Sequence, residues 1–489
     1  MAFQQPGAES KTIPLKILVD KQRNKVVFVE TTKDFVDTLF SFLSLPLATI
    51  VRLLETNNNG KQQSESSPFL ENIKNLYQSV QNLDSDDVWN NPVCKQILLR
   101  PRNPCESLCM KLFMDIEETE LSTKFFVCDS CNKFTTFPNI RCTCGKSPNK
   151  KPRNLDIQTR KSAQDGVFVR DKGSMFLISD DLKVVSSSML SSLEMLIKLG
   201  CSDLTQLEEI THNIGKHEIL NLLKYTLISD EPLTNTILAS SSKNKDIPPN
   251  QFASTVRVTP LANDITRKID VKVMQSKSQK NIIYAETNGD FVDFIFSFLT
   301  MPLGSIVKRL GVNSFSGCVG NLYESMMSFD PTSVLLNPGI VQQFRCPNYP
   351  LKIPHVFPLP TTYYYGMQDK GYYYEYRGLI SKSRESINRP TSLISLDLDI
   401  LKYGVVGFVK KDSLYGVGDD LKVKPFSANF CFSYLKELNL SLDDLEVKVI
   451  SIGEVEALSL LGVCVTSNFT LTSGLKHFLN VPKQESTLT

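Results

Sequence analysis

One segment of this chain occurs twice, and that repetition constrains its fold more than any single motif. ETTKDFVDTLFSFLSLPLATIVRLL at 30–54 returns at 286–310 as ETNGDFVDFIFSFLTMPLGSIVKRL, with 15 identical residues in 25. Shorter echoes keep the same order: Asn75-Leu76-Tyr77 with Asn321-Leu322-Tyr323, and DDLKV at 180–184 and again at 419–423. A repeat of more than about 200 residues is a duplicated domain rather than a solenoid unit. A chain of 489 residues is long enough for each copy to bury a core of its own.

The residues before each repeat, ILVDKQRNKVVFVE and 271–285, alternate apolar and polar around a polar centre, which predicts a β-hairpin. The repeat itself predicts two helices. Phe35, Leu39, Phe42 and Leu43 share one stripe, and Pro46 opens the second helix where a missing amide does least harm. Thr31-x-x-Asp34 and Thr287-x-x-Asp290 predict capping boxes at the first helix of each copy. GVFVRDKGSMFLISDDLKVV predicts a further hairpin turning at Asp171-Lys172-Gly173, and SSLEMLIKLG a helix after it. Hairpins before helices, without βαβ alternation, argue for α+β. The expected layout is two homologous domains of antiparallel hairpins and short helices, at 13–238 and 263–480. A polar, serine-rich linker at 239–262 joins them, and flexible tails lie at 1–12 and 481–489.

The strongest chemical signal is CDSCNKFTTFPNIRCTCGK. Cys128 and Cys131 form a C-x2-C pair, and Cys142 and Cys144 a C-x-C pair ten residues later. Two tight pairs across a short loop can converge on one tetrahedral ion, and thiolates favour zinc. Four cysteine ligands leave no open position for water, so the expected cofactor is one structural zinc per chain; the alternative is four reduced thiols in a plain hairpin. Asn132 and Gly145 follow the second cysteine of each pair and suit a left-handed turn. The zinc-ribbon-like insertion belongs to the first copy alone. In its place the second copy has YYYGMQDKGYYYEYRG, read as a hairpin of cross-strand aromatic pairs, a local staple in place of the metal. Cys94, Cys105 and Cys109 lack paired spacing and read as plain thiols, while Cys201, Cys318, Cys346, Cys431 and Cys464 read as small buried residues.

The repeated segment, the C-x2-C with C-x-C-G, and DDLKV together resemble the plant family of domain-of-unknown-function number 674. The likeness covers nearly the whole chain in two copies, with the motif cysteines falling on Cys128, Cys131, Cys142 and Cys144. It implies a plant protein and brings no activity, mechanism or substrate with it.

Three function classes remain. For an enzyme, the four histidines (His212, His217, His355 and His477) have no metalloprotease spacing, and neither a G-x-S-x-G elbow nor a P-loop motif is present. The acid pairs Asp34/Asp37 and Asp290/Asp293 fit capping better than acid–base work. For nucleic acid, 54 basic against 52 acidic residues exclude a global attraction, so any contact is local. Arg141, Lys146, Lys150, Lys151 and Arg153, with Arg160 and Lys161 beyond, form a basic tail beside Phe125, Phe126, Phe134 and Phe137. The third class, a non-enzymatic scaffold for protein partners, is preferred by elimination. No apolar run reaches the roughly 18 residues of a membrane span, and the start lacks a signal-peptide core. The cytoplasm is the expected address, with the nucleus as a second.

Overall fold

The computed structural model describes residues 11–57, 68–83, 87–117, 125–136, 142, 144–154, 166–170, 174–200, 203–238, 268–315, 317–341, 350–351, 353–356, 362–367, 378–381, 383–396, 407–427, 432, 435–436 and 440–479. The expected linker at 239–262, the turn at 171–173 and the second tyrosine run at 372–376 lie outside them.

The chain opens with the expected hairpin, β1 (Thr12–Asp20) and β2 (Lys25–Thr31), turning at Asn24 with φ +51°. Helices α1 (Lys33–Ser41), α2 (Leu47–Asn57), α3 (Pro68–Asn82), α4 (Pro92–Leu99) and α5 (Glu106–Cys109) follow. Three short strands come next: β3 (Phe126–Val127), β4 (Lys133–Thr135) and β5 (Arg153–Asn154). The first half closes with β6 (Phe176–Ser179), β7 (Val184–Ser186), α6 (Met189–Lys198), β8 (Leu207–Gly215), α7 (Lys216–Ile228) and α8 (Pro232–Ile237).

The second half repeats the order with β9 (Ile269–Ser276), β10 (Ile282–Thr287), α9 (Gly289–Ser297), α10 (Leu303–Leu310) and α11 (Val319–Phe329). Then come β11 (Ile340–Val341), β12 (His355–Val356), β13 (Thr362–Met367), β14 (Leu379–Ser381) and β15 (Asn388–Ser395). It ends with β16 (Tyr415–Gly418), β17 (Val423–Pro425), β18 (Leu445–Ile452), α12 (Glu454–Cys464) and α13 (Thr470–Leu479).

Two antiparallel five-stranded sheets carry the fold, β7-β6-β2-β1-β8 and β17-β16-β10-β9-β18. Their strand orders correspond one to one. Alternation drives Ile13, Leu15 and Ile17 of β1, and Val271 and Val273 of β9, onto inner faces. These residues join the stripes of α1, α2, α9 and α10 in one continuous apolar cluster spanning both halves.

The halves are interlocked. The Leu47 amide donates to the Met301 carbonyl at 3.1 Å, and the Leu303 amide to the Leu45 carbonyl at 3.0 Å, where Pro46 faces Pro302. Each proline lacks an amide, so the bonds pass to its neighbours. Helix α3 packs against β17, the edge of the second sheet, and α11 against β7 of the first. The Ser79 hydroxyl accepts from the Val423 amide at 2.9 Å, and Ser325 from Val184 at 3.0 Å. Residues 88–90 pair with 408–410 through Asn90 N–Phe408 O (3.0 Å) and Lys410 N–Val88 O (2.8 Å).

Three local expectations change. Neither capping box forms: the first residue before α1 is Thr32, with no side-chain bond, while the Thr31 hydroxyl is buried without a hydrogen-bond partner. At α9 the cap is Asn288, which accepts from the Asp290 amide at 3.1 Å. Residues 167–170 are not a strand. Asp37 instead gathers the Val167, Phe168 and Val169 amides at 2.7, 3.0 and 2.9 Å, and Asp293 gathers Phe408 and Val409 at 2.8 and 2.9 Å. The buried carboxylates supply these amides with the acceptors that a strand neighbour supplies elsewhere.

Candidate metal centre

The hairpin of β3 and β4 carries the first cysteine pair. The Cys128 amide donates to the Lys133 carbonyl at 2.9 Å and the Lys133 amide to the Cys131 carbonyl at 2.8 Å, closing a tight knuckle. The second knuckle closes through Cys142 N–Lys146 O (2.9 Å) and Gly145 N–Cys142 O (2.8 Å). Gly145 has φ +83°, the left-handed backbone expected there. Asn132 does not adopt it. Its backbone runs into β4, and its carbonyl accepts the Ile394 amide of β15 at 2.9 Å.

The four sulfurs of Cys128, Cys131, Cys142 and Cys144 all lie within 4.8 Å of one another. Cys128 is 3.4 Å from Cys144 and Cys131 is 3.1 Å from Cys142. A tetrahedral ion with bonds of about 2.3 Å to sulfur requires sulfur–sulfur edges of about 3.8 Å, so the cage fits such an ion. Burial raises the Cys128 thiol, but the Ser130 and Cys131 amides and the neighbouring thiols outweigh it and bring it down to about 7. Burial and the adjoining sulfurs push Cys131 the other way. Among the described residues no other cluster of three or more cysteine, histidine or acidic side chains offers this convergence.

Cys94, Cys105 and Cys109 do not join it. Burial pushes the Cys94 and Cys105 thiols up to about 12 and Cys109 well above its ordinary value, which disfavours the thiolate a metal needs. Cys318 and Cys464 are buried as expected; Cys201, Cys346 and Cys431 lie outside the described residues.

The hairpin of the second half is not a separate staple. Strands β3, β4, β15, β13, β14 and β5 form one six-stranded sheet, in which β15 runs parallel to β4 and β14 parallel to β5. Its core is Phe125, Val127 and Phe134 from the cysteine hairpin, with Tyr363, Ile380 and Leu393 from the second half. The Tyr363 ring centroid stands 5.1 Å from both Phe125 and Phe134, which stand 5.6 Å from each other. Such rings gain from burial and from edge contacts. No sequence pattern links Tyr363 to Phe134; the only hint was that the two segments hold the same place in the order of the repeats.

The basic tail is partly engaged. Lys150 lies 3.1 Å from Asp129 and over the Tyr365 ring at 6.0 Å, and Lys151 lies over Phe126 at 5.8 Å. Asp129 holds the Lys150 ammonium above its usual range. Lys146 donates to the Ser130 hydroxyl at 2.6 Å. Phe125 and Phe134 face the shared core and offer no ring to a base, so these two cannot supply the stacking that the nucleic-acid reading draws on. Arg141, Phe137, Arg160 and Lys161 lie outside the described residues, as does the Arg153 side chain. No helix among the described residues is long and apolar enough to cross a membrane.

Among curated proteins no match is found, and none among solved structures. A family model described as "Protein of unknown function (DUF674)" matches residues 9–455, nearly the whole length over which the repeats and the cysteine cage lie, and the chain belongs to that family.

Proposed function

We propose that this protein is a non-enzymatic scaffold for protein partners, held in shape by one structural zinc ion on Cys128, Cys131, Cys142 and Cys144. The observation that carries the reading is the position of the cage. Strand β4 of its first knuckle pairs with β15 of the second half, so an ion there would stiffen one end of a sheet that both halves share. Zinc suits four thiolates, and a closed cage supplies rigidity rather than reactivity. The buried repeated acids support a structural role as well. Asp37 and Asp293 hold loops, and Asp180 and Asp419 each bind an amide and a hydroxyl, of Thr234 and Thr472. A reducing cytoplasmic or nuclear compartment would keep the thiols available.

Native mass spectrometry of the purified chain tests the metal, beside the Cys128→Ser, Cys131→Ser variant. One zinc in the wild type and none in the variant is the expected result; carefully reduced wild type without zinc would overturn it. Partners that stay bound after nuclease treatment test the scaffold role. Retention of nucleic acid that weakens steeply with salt would instead favour contact through Arg141, Lys146, Lys150, Lys151 and Arg153.

A further inference from the structure

Each five-stranded sheet ends on one long edge strand, β8 with nine residues and β18 with eight. A bare edge offers a row of amides and carbonyls to any other strand, and polar or charged side chains are the usual guard. The two edges are treated differently. On β8 the outer-face positions are Glu209, Thr211 and Asn213, opposite Leu18, Lys16 and Pro14 of β1. The corresponding positions of β18 are Val447, Val449 and Ser451, opposite Met274, Lys272 and Asp270 of β9. Val447 and Val449 are 64% and 53% exposed. An apolar row therefore runs Tyr284–Met274–Val447 across the sheet and ends, among the described residues, at an exposed last strand.

The sequence of that strand, LEVKVISI, says what fits it. Place a second copy antiparallel alongside, with the twofold axis through Val447. Val447 then faces its own counterpart, and Leu445 faces Val449. Glu446 faces Lys448 of the other copy, and Lys448 faces Glu446. Every cross-strand pair at the centre is thus apolar–apolar or opposite in charge, the combinations that stabilise antiparallel pairing. The same axis extends the apolar row into its mirror on the second copy. Within one chain Glu446 and Lys448 already approach to 3.2 Å, so both are held at the edge.

We propose that the chain forms a homodimer by antiparallel pairing of β18 with β18 of a second copy, joining two five-stranded sheets into one of ten strands. This is a closed, isologous contact. It involves neither the cysteine cage nor the six-stranded sheet and stands apart from the zinc reading.

The full-length chain is examined by sedimentation over a range of micromolar concentrations, with charge reversals as the decisive series. A dimer is expected for the wild type. Glu446→Lys sets lysine against lysine twice and should weaken the dimer roughly tenfold or more. Lys448→Glu should do the same through glutamates. The double reversal, Glu446→Lys with Lys448→Glu, restores opposite charges across the axis and should recover dimerisation. Val447→Lys should abolish it, and Glu209→Lys on the other edge should leave it unchanged. Circular dichroism melts establish that each variant is folded. A monomeric wild type, or a dimer indifferent to the single reversals, overturns the proposal.

Discussion

The Asn75 side-chain amide donates to the Asp420 carbonyl at 3.0 Å, and Asn321 makes the mirror bond to Asp181 at 2.8 Å. Each asparagine belongs to one repeated motif, NLY, and each acceptor to the other, DDLKV, of the opposite half. The two echoes are therefore the two sides of one reciprocal contact. Asn75→Ala or Asn321→Ala strands a carbonyl near a packed helix, and each should cost about 1–3 kcal/mol in urea unfolding. Chains cut within 239–262 should yield a stable species only when the halves are produced together. A half that is soluble, monomeric and cooperatively folded alone would contradict the interlocked core.

Leu182 and Leu421 occupy matching turns with φ +59° and +61°, and both side chains are fully buried. A left-handed leucine is strained, and here burial of the side chain offsets the strain. Leu182→Ala loses the burial and keeps the strain, whereas Leu182→Gly loses both. The glycine variant should thus be the more stable of the two by about 1 kcal/mol, the reverse of the usual order within regular structure. Melting curves of the pair decide it.

Burial pushes the Asp293 carboxyl up to about 7 and those of Asp180 and Asp419 up to about 6, against the opposing effect of the donors each one binds. A carboxyl held above its unfolded value stabilises the fold while protonated. That contribution is complete below the unfolded pKa of 3.8 and disappears as pH rises through the folded one. Stability on this account should fall from about pH 4 to about pH 7, by at most about 1.4 kcal/mol per pH unit for each group. Asp293→Asn should flatten the slope in urea titrations at several pH values. An unchanged slope would refute the assignment.

Because Tyr363 packs on Phe125 and Phe134, the second half should influence the cysteine cage of the first. Tyr363→Ala opens the shared core and should weaken metal retention about tenfold or more in a chelator competition. Removal of the ion from the wild type should erase near-ultraviolet ellipticity from these rings while the far-ultraviolet signal of the larger sheets persists. Equal retention by the variant would mean that the hairpins are mechanically independent.

Much of the local structure was legible in the residues. The hairpin at 16–30, the helices either side of Pro46 and helix α6 follow from periodicities that act over a few residues. The convergence of Cys128, Cys131, Cys142 and Cys144 was legible for the same reason, since both knuckles and their separation are local. What escaped depends on distant partners. Asp37 reads as a first-turn acid because the amides it binds lie 130 residues away. The tyrosine hairpin reads as self-contained because alternation predicts a strand without naming its neighbour. Asn132 looks suited to a left-handed turn, yet its backbone is claimed by Ile394 of a strand far along the chain.

The exchange of α3 and α11 also sets a timetable for biosynthesis. Asn75 leaves the ribosome 345 residues before the carbonyl it binds. At about 5–20 residues per second, α3 waits roughly 17–70 s for its seat on the second sheet. For that interval Asn72, Asn75 and Ser79 lack the second-half partners they bond in the finished molecule. Vectorial folding of this chain is thus a problem of guarding one helix, and chaperone demand should concentrate on nascent chains that end before 423.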